Sequence, residues 1–185
     1  DESGEEKKEQ KTTIVHEWKK INELEPIWIR SDDDVATEDI DNFYKTMNSD
    51  DWQAPVAHKK FSVEGSVSLQ GILFLPSMRP FNLFQERNQH NKIKLYVRRI
   101  FIKENIENLM PDYLNFIPGV VDSEDLPLNV SREMLQKSKV YDIIKKNIVK
   151  QCISMIENLA EDEEKYLKFW GQFSKNLKLG VYDDT

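Results

Sequence analysis

With 185 residues and a mass of 21.9 kDa, the chain has room for one domain of ordinary size, or one domain and part of a second, so a multi-domain enzyme cannot be whole in it. Its 39% hydrophobic and 10% aromatic content supplies a core, so a soluble globular fold is expected despite a charged fraction of 32%. A net charge of -7 and a pI near 5.1 weigh against a nucleic-acid partner, which calls for Lys and Arg in excess. The single cysteine, Cys152, excludes an intramolecular disulfide and a cysteine-built zinc site, and suits a reducing compartment. No run reaches the roughly 20 apolar residues of a membrane helix, and residues 1–8, DESGEEKK, lack the apolar stretch of a signal peptide, so no membrane partner is expected.

Residues 1–11 hold five acids and three lysines with nothing apolar to bury, and read as the end of a charged linker. The folded part is expected over 12–160, with 161–185 beginning a helical subdomain and both termini being cuts in a longer protein. From Thr37 to Ser49 the spacing of Ile40, Phe43, Tyr44 and Met47 predicts a helix whose first turn carries Glu38 and Asp39, as the dipole favours. From Phe61 to Leu75 the period shortens to two. Phe61, Val63, Val67, Leu69, Leu73 and Leu75 share one parity, and Glu64-Gly65 turns a hairpin whose second arm, apolar on both parities at Ile72 to Leu75, belongs in the middle of a covered sheet. Pro76 and Pro80 stop that arm, and the Asn- and Gln-rich stretch 82–91 reads as a loop.

The β-branched and aromatic run IKLYVRRIFI predicts one strand over 93–102. A segment punctuated by Pro and Asp follows as far as Pro127. A helix is then expected from about Ser131 to Ala160, burying Ile144, Ile148, Cys152, Met155, Ile156 and Leu159, with another from Glu164 to Leu177 carrying Tyr166, Phe169, Trp170 and Phe173. Strands first and helices afterwards suggest an α/β (α+β) sheet covered by helices.

The chemistry-bearing motifs are few. His16, His58 and His90 stand at no metal-ligand spacing, the six glycines form no phosphate loop, and neither a serine elbow nor a Cys-His pair is recognisable. The run PLNVSREMLQ gathers Asn129, Ser131, Arg132, Glu133 and Gln136. In a helix beginning near Ser131, Arg132 and Gln136 lie four apart on one face, near an N-terminus suited to an anion. The same pattern fits an ordinary first turn in which Ser131 caps and Arg132 is solvated. Trp52, Phe81 and Phe84 lie in loop-like sequence, as partner contacts or as lids folded back on a core edge. Lys92, Lys94, Arg98, Arg99 and Lys103 crowd the run 93–102, with Lys94 and Arg98 on the parity of Tyr96, either to hold an acidic partner or RNA, or as a solvated strand face.

EPIWIR (25–30), FSVEG (61–65), GILFLP (71–76), IKLYVRRIFI (93–102), the near-continuous PDYLNFIPGVVDSEDLPLNVSREMLQ (111–136), KNIVKQC (146–152) and FSKNLKLGV (173–181) together resemble the middle segment of the heat shock protein 90 family of ATP-dependent chaperones, over about 12–185. PFNLF (80–84) and Cys152 are similar to the cytosolic members, which implies a cytoplasmic location. The resemblance implies an α-β-α sandwich of the ribosomal protein S5 domain 2-like type, shared with type II topoisomerases and MutL-like proteins, followed by a small helical coil. It also implies that an N-terminal ATPase domain and a C-terminal dimerisation domain lie elsewhere in a homodimeric protein. By the same resemblance Arg132 reaches the γ-phosphate of ATP held, with Mg2+, by the N-terminal domain, and Gln136 and Asn129 share its catalytic loop. The resemblance also links Trp52 to client contact and Phe101 to packing against the nucleotide domain, while Phe81 and Phe84 are partner-contact candidates from their loop sequence alone. An ATPase-activating co-chaperone is the partner expected at Lys94 and Arg98. Pro118, where many relatives carry a basic residue, departs from the pattern and stiffens the approach to the loop. The isolated chain is expected to be inactive, and a purely non-catalytic interaction module is the alternative.

Overall fold

The computed structural model describes residues 16–19, 25–48, 51–79, 92–126 and 139–183. Helix α1 (Thr37–Met47) begins where expected, with Glu38 and Asp39 in its first turn and Ile40 and Tyr44 buried. Strands β1 (Ala57–Val63) and β2 (Leu69–Leu75) form the expected antiparallel hairpin. Two elements differ from the sequence reading. The run 93–102 is not one strand but a second hairpin, β3 (Ile93–Val97) and β4 (Ile100–Glu104), folded at Arg98-Arg99. These two arginines adopt φ of 49° and 67°, the left-handed pair that a two-residue hairpin turn demands and that Asn and Gly usually provide, so no composition signal marked the turn. Lys94 and Arg98 consequently do not share a strand face: Lys94 lies in β3, two residues before Tyr96, and Arg98 is in the turn.

The second difference is β5 (Gly119–Ser123), within the segment expected to be irregular. Its five residues are all buried, and it is the central strand of a sheet ordered β1-β2-β5-β3-β4. It runs antiparallel to β2 and parallel to β3. A strand covered on both faces shows no alternation, and Asp122 and Ser123 break its apolar run, which is why periodicity missed it.

Helix α2 (Lys139–Ala160) and helix α3 (Glu163–Asp183) follow. Of the helix expected from Ser131, residues 131–138 lie outside the described residues; the last helix runs six residues beyond the expected Leu177. The α2 stripe Tyr141, Ile144, Ile148, Cys152, Met155 and Leu159 is buried against Leu69, Leu73, Leu75, Ile93, Leu95 and Val121, on one face of the sheet. Phe169 and Phe173 of α3 enter the same core, where Phe173 stacks on Phe116 at 4.2 Å and 19°. On the opposite face Ile27, Trp28, Val35, Ile40 and Tyr44 pack on Ile72, Phe74 and Val120. Ile72 to Leu75 thus face two cores in alternation, which explains why that arm is apolar on both parities, and the molecule has the α-β-α layering expected.

Gly119 sits where neighbouring strands leave no room for a side chain. A Cβ there would lie 2.6 Å from the Ile72 carbonyl oxygen and 2.6 Å from Leu73 Cδ2, inside any tolerable contact and partly against backbone that cannot rotate away. Gly119→Ala should therefore destabilise the fold by about 1–3 kcal/mol, the usual range for overpacking. A lowered midpoint in chemical denaturation followed by circular dichroism, with an unchanged slope, is the expected result.

Candidate functional site

Residues 127–138, with Asn129, Arg132 and Gln136, lie outside the described residues, as do Phe81 and Phe84. The elements on either side of 127–138 are described: β5 and its continuation to Leu126 lead in, and α2 leads out. The geometry of interest is built on β5.

Asp122 is a buried carboxylate on this central strand. Its Oδ2 accepts a hydrogen bond from Trp28 Nε1 at 3.3 Å and from the Arg99 backbone N–H at 3.1 Å. A buried carboxylate is tolerable only when its oxygens are occupied, and here the donors come from two segments remote in sequence. One is the Ile27–Ile29 turn, which the hydrogen bond from Ile29 N–H to the Pro26 carbonyl closes at 2.9 Å. The other is the left-handed Arg98-Arg99 turn. Trp28 also packs on Tyr96 of β3 at 5.0 Å and on Phe43 of α1 at 6.0 Å. Burial, reinforced by the nearby Asp122 charge, raises the pKa of the Tyr96 phenol, so it stays neutral.

The Arg98-Arg99 turn is tied to the end of β5 a second time. Arg98 N–H donates to the Ser123 carbonyl at 3.1 Å, and Arg98 Nε to the Glu124 carbonyl at 3.1 Å. Both arginines are exposed, and Arg99 approaches Glu25 at 3.4 Å, a solvated pair of small energetic value. Just after the turn, on edge strand β4, Ile100 and Phe101 are 53% and 50% exposed, with Phe101 edge-on to Tyr96 at 5.5 Å. A basic turn and a half-exposed apolar pair therefore sit beside the stretch of chain that leads toward residue 127. Of the basic residues singled out in the sequence, the structure gathers Arg98 and Arg99 here; Lys92 Nζ instead donates to Asn48 Oδ1 at 2.5 Å, 44 positions away in sequence.

The cleft bounded by Ile29, Gln70, Arg98, Arg99, Asp122 and Glu124 has a volume of about 150 Å³. That is below the several hundred Å³ of a site able to enclose a drug-sized ligand, and its two acids oppose its two arginines, so it does not form a nucleotide pocket. Among the described residues no group of His, Cys, Asp or Glu could hold a metal ion, and no helix is long and apolar enough to cross a membrane.

Trp52 is 75% exposed, so the lid reading fails for this residue. The sequence missed Asp122 and Trp28. A lone Asp inside the apolar GVVDS was the available signal for Asp122; nothing local announced that Trp28 would be its partner 94 positions away.

Asp122→Ala should leave Trp28 Nε1 and the Arg99 N–H without an acceptor and lower stability by about 2–3 kcal/mol, whereas Asp122→Asn, which keeps one acceptor oxygen, should cost about half as much. Denaturant midpoints, with near-ultraviolet circular dichroism to follow the tryptophans, test the order of the two variants.

Comparison with known proteins adds the family. The family described as "Hsp90 protein" matches residues 1–185. Heat shock protein 83 of Leishmania donovani is 49% identical over 172 residues, covering 93% of this chain and 38% of that protein. The endoplasmin homologue of Caenorhabditis elegans is 44% identical over 179 residues, 96% of this chain and 23% of its own length. The chain thus spans well under half of these relatives. Among solved structures, the middle domain of a Plasmodium falciparum heat shock protein superposes with a TM-score of 0.72 at 35% identity, covering 86% of this chain and 61% of that one. A match across the whole sequence, identity near one half and a shared layered fold together establish that this chain belongs to the heat shock protein 90 family of chaperones and corresponds to its middle domain.

Proposed function

We propose that the chain is the segment of an ATP-dependent chaperone that binds client proteins and an ATPase-activating co-chaperone, and that completes hydrolysis by supplying Arg132 to the γ-phosphate of ATP held in an N-terminal domain. The observation that carries this reading is the run PLNVSREMLQ at 127–136 in a chain of this family. Its setting supports it: the run follows the central strand, whose end is hydrogen-bonded to the Arg98-Arg99 turn. A strand locked between two neighbours is a stiff base for a catalytic loop, and stiffness matters because a catalytic group displaced by 1 Å can lose about 10²-fold in rate.

The chemistry assigned to each residue follows from its type. Hydrolysis spreads negative charge over the γ-phosphoryl oxygens as the bond to the β-phosphate breaks, and Arg132 offers a permanent cation with a planar set of donors for those oxygens. Gln136 and Asn129, neutral donors and acceptors, orient Arg132 or the attacking water. Mg2+ is assigned to the nucleotide in the N-terminal domain, where it neutralises phosphate charge. The half-exposed Phe101 and Ile100 fit a face that meets the nucleotide domain, and the exposed Trp52 fits a contact with clients; Phe81 and Phe84 are proposed as further partner contacts on their sequence alone. In the longer protein this segment works within a homodimer. A cytoplasmic location is proposed on Cys152, fully buried as a thiol whose pKa burial raises, and on PFNLF at 80–84; the relatives matched include both heat shock protein 83 and endoplasmin homologues.

A non-catalytic interaction module is the second reading, favoured by the exposure of Trp52, Ile100 and Phe101. Arg132 separates the two. In the full-length protein, Arg132→Ala should lower kcat by at least about tenfold, against the ~10³–10⁵ that an arginine reaching in from another domain or protein contributes in other phosphoryl-transfer enzymes. Nucleotide affinity should stay within a few-fold, since the pocket is untouched. Gln136→Ala should lose less rate, being a neutral partner. Hydrolysis by Arg132→Ala at the wild-type rate would leave only the interaction module.

The co-chaperone is assigned to Lys94, Arg98 and the loop beyond β5 through complementary charge. Its affinity should therefore fall as ionic strength rises, and Lys94→Glu and Arg98→Glu should each weaken it and flatten its salt dependence. Titration of the co-chaperone at two salt concentrations tests this, and unchanged binding by both variants would place the interface elsewhere.

A further inference from the structure

Between Asp51 and Gln53 the usual order of burial is inverted. The charged residue is inside, at 5% exposure, and the tryptophan next to it is outside. Exposing an indole forgoes hydrophobic stabilisation and burying a carboxylate is unfavourable, so this arrangement persists only because the backbone around Trp52 is fixed by other contacts. Tyr44, in the last turn of α1, donates its hydroxyl proton to Asp51 Oδ2 at 2.7 Å, and its own oxygen accepts from Asn48 Nδ2 at 3.0 Å. Asp51 Oδ1 accepts the Gln53 N–H at 3.0 Å, closing a ring of the chain around Trp52. The Asp51 N–H donates to the Asn48 carbonyl at 3.0 Å, Ser77 Oγ reaches Gln53 Oε1 at 3.2 Å, and the Val56 N–H bonds the Leu75 carbonyl at 2.8 Å, so the segment is held at both ends. Lys92 Nζ donates to Asn48 Oδ1. Tyr44 is itself immobile: it is fully buried, and its ring lies 5.3 Å from that of Phe74 in β2.

We propose that Tyr44, acting through Asp51, is a positioning residue that holds Trp52 outward in one conformation, so that the indole meets an extended, non-native polypeptide as a preformed anchor. This rests on the reading of Trp52 as a client contact and names the residues that make that contact work. The phenol is suited to the task. Burial and the neighbouring Asp51 raise its pKa far above its ordinary value, so it stays a donor at any pH the protein meets. Preorganisation of one large side chain removes an ordering cost at binding equivalent to roughly a two- to tenfold change in affinity. The backbone that carries Trp52 is therefore fixed before binding, with Tyr44 braced on the sheet by Phe74.

The test uses the 185-residue chain labelled with 5-fluorotryptophan and, as probe, reduced and carboxymethylated α-lactalbumin, a permanently unfolded chain. Four tryptophans give four fluorine resonances, with that of Trp52 identified by its loss in Trp52→Ala. Tyr44→Phe keeps the ring against Phe74 and removes only the hydroxyl. It should broaden or split the Trp52 resonance while leaving the Trp28 and Trp170 resonances in place. It should also weaken probe binding by roughly two- to tenfold, and have no further effect in a Trp52→Ala background. Asp51→Asn, which retains an acceptor for either Tyr44 or Gln53, should fall between wild type and Tyr44→Phe, and serves in its place should the latter fail to fold. A sharp, unshifted Trp52 resonance in Tyr44→Phe, or an equal loss of affinity with and without Trp52, overturns the positioning role. If Trp52→Ala alone leaves probe binding unchanged, it is the client reading of Trp52 that fails, and the fluorine spectrum still decides whether Tyr44 fixes the indole.

Discussion

A single carboxylate organises the described part of this domain. Asp122 lies on the central strand, and its side chain accepts a hydrogen bond from the indole of Trp28 and one from the backbone of Arg99. The first draws the segment 25–30 across the face of the sheet, where Trp28 then packs against Tyr96 and Phe43. The second stabilises a turn that is otherwise strained, since each non-glycine residue in the left-handed region is disfavoured by roughly 1–2 kcal/mol. One buried charge thus fixes an aromatic layer on one side of β5 and a pair of exposed guanidinium groups at its end. A neutral residue at 122 could fill the volume but could not serve both donors with charge-assisted bonds.

The same principle recurs at Asp51. There too a buried acid is occupied by donors from separate elements, and there too the result is a large side chain presented to solvent on a stiff backbone. The two acids are on the same side of the sheet as α1, the side whose core is small: five residues from the segment 25–44 against three from the strands. A thin apolar layer gives limited stabilisation by burial, and directional hydrogen bonds from buried carboxylates supply order that packing alone would not. The opposite face, with α2 and α3 stacked on it, contains the phenylalanine cluster Phe116, Phe169 and Phe173 and relies on packing.

Legibility from sequence divides along these lines. The elements whose burial is one-sided were readable: α1 and α2 each bury one stripe, so spacing reported them directly, and β2, although covered on both faces, was located by the alternation around it and the Glu64-Gly65 turn before it. β5 was not, because a strand buried on both faces loses its alternation, and Asp122 looked like loop punctuation when it was in fact the buried partner of Trp28. The β3–β4 turn was hidden for a different reason. Turn propensity is a statement about glycine and asparagine, and Arg98-Arg99 reaches the same dihedral angles through hydrogen bonds to Ser123 and Glu124 that no local window can contain. For the candidate site, spacing put Arg132 and Gln136 on one helical face but could equally have been an ordinary helix start; only the 26-residue run 111–136 distinguished the two through resemblance. The exposure of Trp52 was undecidable from sequence because it depends on Tyr44 and Asp51, and a buried Asp next to an exposed Trp reverses what hydropathy suggests.

The order of strands also dictates how the sheet can assemble. β1–β2 and β3–β4 are local hairpins, each able to form as soon as its own residues are available, yet they touch only through β5, which comes later in the chain and inserts between them. Loop closure therefore precedes the gain from the β2–β5 and β3–β5 ladders, the pattern associated with slower folding. Until residue 123 has been synthesised, the inner edges of β2 and β3 are both unpaired, and Leu73, Leu75, Ile93 and Leu95 have neither the central strand nor α2 to cover them. During its own synthesis, a domain of a chaperone family passes through a stage with two open apolar edges, the kind of surface that invites intermolecular strand pairing.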